Sequence, residues 1–73
     1  MKYVVVELQK NGNSIASIIT DYNTRNEAES KYYAVLSVAA TSSVPKHACS
    51  LLTEDGVCIR NEVYEHEEIE NEG

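Results

Sequence analysis

His47, Cys49, Cys58 and His66 are the side chains of this chain that could hold a metal ion or pair a nucleophile with its base. His47 and Cys49 stand two apart, so on a strand both point to one face, as ligands of an H-x-C pair would. The same proximity could set a thiolate beside an imidazole. Nucleophilic catalysis also needs a third group to orient the base and an oxyanion site, and no Gly-rich loop near these residues supplies one. The expectation is a protein that is not an enzyme, with no catalytic residue.

Whether the two thiols can meet depends on strand register. Cys49 falls in KHACSLLTE and Cys58 in VCIRNEVYEH, strand-like runs on either side of the Asp55-Gly56 turn signal. With a two-residue turn, Cys58 pairs with Thr53, about 13 Å along the strand from Cys49. With a bulged loop the thiols take opposite faces. Neither arrangement allows a disulfide, whose Cα atoms must lie within about 7 Å, or a shared metal ion. No metal and no cofactor are expected, and the cysteines read as reduced structural thiols.

Twelve acidic against six basic side chains give a net charge of −6. Phosphate binding needs clustered Lys and Arg, so nucleic acid and an anionic membrane surface are not expected as direct partners. Glu65, Glu67, Glu68, Glu70 and Glu72 crowd the end of the sequence, and from Glu67 to Gly73 the chain reads as a disordered, solvated tail. The alternative use of these acids is to mimic a phosphate backbone, as an inhibitor of a DNA-binding protein would. Tyr3, Tyr22, Tyr32, Tyr33 and Tyr64 have no basic residues interleaved and make no base-stacking platform.

The elements that must position these groups are few. YVVVELQ (Tyr3 to Gln9) and SIASIITDY (Ser14 to Tyr22) are rich in β-branched and aromatic residues and read as two strands. Asn11-Gly12 between them is a hairpin signal. A two-residue turn there pairs Leu8 with Ile15 and Val4 with Ile19; a three-residue bulged loop pairs Leu8 with Ser14 and Val4 with Ile18. Both registers remain open.

From Thr24 to Ser43 the period changes to that of a helix. Thr24 and Glu27 form a capping-box pair, and Ala28, Tyr32, Val35, Leu36 and Ala39 share one arc, with Ser30, Ser37 and Thr41 opposite. Pro45 ends the segment. In the second hairpin a two-residue turn gathers Ala48, Leu52, Ile59 and Val63 on one face. A bulged loop gathers Cys49, Leu51, Val57, Ile59 and Val63, with Ser50, Arg60 and Glu62 outward, and gives the cleaner alternation.

One helix covers one face of a sheet, yet apolar residues occupy both alternation phases of the first two strands. The surplus on the other face is the candidate interaction surface: Tyr3, Val5, Ile15, Ile18, Ile19, Leu52 and Tyr64. A monomer would expose a larger apolar patch than soluble monomers tolerate, so a homodimer is expected, packed through the open face or an edge strand. The Val4-Val5-Val6 run is too short for a signal-peptide core or a membrane span, which places the protein in the cytoplasm.

MKYVVVELQ, NEAESKYYAVLSVAATSSVP and HACSLLTEDG together resemble small uncharacterised proteins encoded in phages and prophages of gut Firmicutes. There a Val-rich first strand, an N-x-A-E-x-K-Y helix ending S-S-V-P and an L-L-T-E-D-G turn recur. The resemblance spans most of the chain to about His66. It implies a phage accessory protein in a bacterial host cell and carries over no functional residue.

The fold expected is α+β, a single ββαββ domain over residues 1–66 with a four-stranded sheet and one helix on one face. The strand order 2-1-4-3, β-grasp-like with the first and last strands parallel in the centre, keeps both hairpins intact. An all-antiparallel sheet with strands one and three adjacent does so too.

Overall fold

A computed structural model describes residues 1–66; the expected acidic tail, 67–73, lies outside the described residues. The elements are β1 (Tyr3–Asn11), β2 (Ser14–Tyr22), α1 (Arg25–Ala40), β3 (Lys46–Thr53) and β4 (Cys58–Glu65). They form one four-stranded sheet with one helix, the α+β arrangement the sequence implies.

The strand order is β2-β1-β3-β4, antiparallel throughout, which corrects the 2-1-4-3 order. Strand chemistry decides between the two. A central strand under a helix must offer apolar side chains to it, and β3 offers Cys49 and Leu51 where β4 offers Arg60 and Glu62. β3 therefore takes the centre beside β1, and β4 becomes an edge.

The first hairpin follows neither of the two expected registers. Asn11 pairs with Ser14, so Gly12 and Asn13 are the central turn residues, and Val6 faces Ile19 while Leu8 faces Ser17. Gly12 has φ +68° and among the described residues no non-glycine has positive φ, the signature of a type II′ turn with glycine first. Asn13 then needs no left-handed conformation.

The second hairpin closes on a three-residue loop. Gly56 N–H donates to Thr53 O at 2.9 Å and Thr53 N–H to Val57 O at 2.9 Å, with Gly56 at φ +88°. A further irregularity follows opposite Leu51/Leu52, where Leu52 pairs with Cys58 but Leu51 with Arg60. The extra residue, Ile59, stays on the helix side and packs against the core, and every later β4 residue changes face. Arg60 and Glu62 thus lie opposite Leu51 and Cys49 on the helix side, and Val63 opposite Ala48 on the other, contrary to the expected grouping.

The helix starts as its sequence directs: Thr24 Oγ1 accepts the Glu27 N–H at 3.2 Å. It ends at Ala40, earlier than Ser43, where Thr41 turns its backbone to Val38 and Ala39. Sixteen residues span about 24 Å, enough to run the length of the sheet. Ala28, Tyr32 and Val35 bury against Val5, Cys49 and Leu51, with Tyr3, Tyr22, Leu36 and Ile59 around them, and Ala39 is buried at the end of the helix. The core therefore lies between α1 and the central pair β1/β3.

Candidate functional site: the open face of the sheet

Alternation from the buried residues assigns the faces. Val5, His47, Cys49 and Leu51 face α1, so Val4, Val6 and Leu8 of β1 and Ala48, Ser50 and Leu52 of β3 face away. Their ladder partners extend this open face to Ser17, Ile19 and Asp21 on β2, with Ile15 in phase opposite Lys10, and to Asn61 and Val63 on β4. The result is an apolar strip across all four strands, interrupted by Ser17, Ser50 and Asn61. Its most exposed members are Ile15 (65%) and Ile19 (64%), with Leu8 and Val63 also exposed.

Charges close the strip at both ends. Lys2, Asp21 and Glu54 stand at one end, where Lys2 pairs with Asp21 and its backbone bonds to Glu54. The hydrogen bond and charge of each partner raise the Lys2 pKa and lower that of Asp21. At the other end Lys10 is the ladder partner of Lys46, which reaches Glu65 at 3.4 Å. Between those lysines Leu8, Ile15 and Ala48 line a shallow apolar depression of about 270 Å³.

The expected interaction surface divides between the faces. Ile15, Ile19 and Leu52 lie on the open face, whereas Tyr3, Val5, Ile18 and Tyr64 lie on the helix side. Val5 is 1% exposed and belongs to the core, because the register puts it beside Leu51 under the helix. Ile18 is on the helix side but 48% exposed, since α1 sits mainly over β1 and β3 and reaches β2 chiefly at Tyr22. Val6, Leu8, Ala48 and Val63 complete the face. The alternation Val4, Val6, Leu8 was the available signal for the first two.

His47 and Cys49 do share a face, and it is the buried one. Cys49 is closed under Tyr32 and Val35, and burial, reinforced by the Glu7 charge, pushes its thiol up to about 11. At neutral pH it is a protonated, inert thiol. His47 binds Glu7 through Nε2 at 2.6 Å, with Nδ1 buried and unpartnered. Glu7 lies in phase with Val5 on the core side of β1, the one sign in the sequence that a buried partner was needed. His66 is elsewhere: its Nε2–H donates to Ala39 O at 3.0 Å, satisfying a carbonyl of the last helical turn. Cys58 is exposed, and both cysteines are free. Among the described residues no three His, Cys, Asp or Glu side chains converge as metal ligands, and no helix is long and apolar enough to cross a membrane.

Between α1 and β4 the β-bulge aims Arg60 at the helix. Its Nε donates to Glu29 at 3.3 Å and its guanidinium lies 5.8 Å from the Tyr33 ring centre. Arg25 donates to the same Glu29 oxygen at 3.1 Å, and these two bonds hold the Glu29 carboxyl below its ordinary pKa. This cluster fastens an edge strand to the helix. No family model, curated protein or solved structure matches the chain.

Proposed function

We propose that this protein is a small, non-enzymatic interaction module that works as a homodimer, joined on its β2 side through the open sheet face or the edge strand itself. The observation that carries the reading is the exposure of Ile15 and Ile19 beside Val6, Leu8 and Leu52 on a face that no element among the described residues covers. Apolar area of that kind, on a domain whose own core supplies only about 3–5 kcal/mol, is stabilised by a partner.

Charge favours an identical partner. One end of the strip carries two acids and one lysine (Asp21, Glu54, Lys2), the other two lysines and one acid (Lys10, Lys46, Glu65). A copy related by a two-fold axis across the strands lays each end near its opposite. The resemblance of three segments to phage and prophage proteins adds a setting, an accessory role in the cytoplasm of a bacterial host. Light scattering during gel filtration tests the dimer. The expected mass is about twice 8.1 kDa at high concentration, falling toward the monomer for Ile15→Lys/Ile19→Lys; a wild-type chain that stays monomeric throughout contradicts it.

A further inference from the structure

The two edges of the sheet differ in kind. β4 exposes Arg60, Asn61, Glu62 and Glu65, carries a bulge and leads into the acidic segment, all devices that discourage strand addition. β2 has nine residues, no bulge, no proline and no lysine, and exposes Ile15, Ile18 and Ile19. Among the described residues it is the unprotected edge.

The free backbone groups of β2 can be assigned. Glu54 N–H donates to Lys2 O, so even-numbered residues of β1 bond to β3 and odd-numbered ones to β2. Their partners on β2 are Ser14, Ala16, Ile18, Thr20 and Tyr22, which leaves the N–H and C=O groups of Ile15, Ser17, Ile19 and Asp21 pointing out of the sheet. A second β2 adding antiparallel must pair these odd residues with one another. If the two-fold axis passes at Ile18, Ile15 meets Asp21 and Ile19 meets Ser17. If it passes at Ser17, Ile15 meets Ile19 twice on the open face and Ala16 meets Ile18 twice on the helix side. The hydroxyls of the two Ser17 then meet at the axis, and Asn13 faces Asp21.

We infer that two copies join edge to edge through β2, with Ser17 on the two-fold axis, into one continuous eight-stranded antiparallel sheet. This rests on the homodimer reading and specifies its geometry. The pairing sets every apolar residue of the edge against another and satisfies the outward amides. It also brings the mate's Asp21 to the sheet end that carries Lys10 and Lys46.

Cross-linking decides it, in the full chain with Cys58→Ser, which leaves Cys49 buried. Ser17→Cys places two thiols on Cα atoms about 5.5 Å apart across the axis. Ser50→Cys, on β3, leaves its copies about 27 Å apart in the joined sheet but within reach if two open faces stack. Expected is efficient covalent dimer from Ser17→Cys and little from Ser50→Cys under a short bis-maleimide. A dimeric mass with the opposite pattern, or with neither variant linking, overturns edge pairing while leaving the homodimer. A monomeric mass removes both. Ser17→Pro deletes only an outward N–H, so a folded chain by circular dichroism with the dimer lost agrees with the pairing, and a folded dimer overturns it.

Discussion

Cys49 and Cys58 have the same side chain and opposite surroundings. The first lies beneath α1 with its thiol raised to about 11, and the second stands exposed at the start of β4. A thiol reagent at neutral pH is expected to titrate one group in the native protein and two in denaturant; rapid native reaction of both would contradict the burial of Cys49. Leu51, fully buried between β1 and α1, is the side chain whose loss the core can least absorb. Leu51→Ala is expected to cost about 2–5 kcal/mol, comparable with the whole stability of so small a domain, and to leave the chain largely unfolded at 25 °C by circular dichroism. That His47 and Cys49 share a face was legible from their spacing. The bulged-loop reading also gathers Cys49 and Leu51 on the inward face, as the burial of both shows, but it turns Arg60 and Glu62 outward, whereas the ladder puts them on the helix side.

Helix α1 is the element most fully written in local sequence. The Thr24 cap and the arc of Ala28, Tyr32, Val35 and Ala39 are present as read, since cap and periodicity need no distant partner. The hairpins were less legible. Asn11-Gly12-Asn13 contains glycine in a position that suits either a first or a second central turn residue, and the structure uses the first. At Ile59 the chain bulges without glycine or proline to announce it, and Arg60 reaches Glu29 and Tyr33 only because of that bulge. Glu29→Gln is expected to lower the melting temperature at pH 7. Because the folded carboxyl is held below its unfolded value, the contribution it loses is present above about pH 4.5 and fades as the pH falls through the folded value. Wild type and variant should therefore converge in acid, and a constant difference down to low pH would show that charge is not what the bridge contributes.

At the scale of the whole molecule, direction was readable and order was not. A helix as long as the strands returns the chain to the Lys10 end, which makes β3 antiparallel to β1 but leaves either β3 or β4 free to be its neighbour. Burial settles it, with Leu51 and Cys49 drawn under α1 and the polar β4 left outside. The same order leaves β2, with its three exposed isoleucines, at the opposite edge. Amide hydrogen exchange measured across protein concentration tests that edge directly. The N–H groups of Ala16, Ile18 and Thr20 point to β1 and should exchange slowly at every concentration. Those of Ile15, Ser17 and Ile19 should exchange freely in dilute solution and become protected as the concentration rises. Exchange at these three positions that stays fast and independent of concentration would contradict pairing through β2.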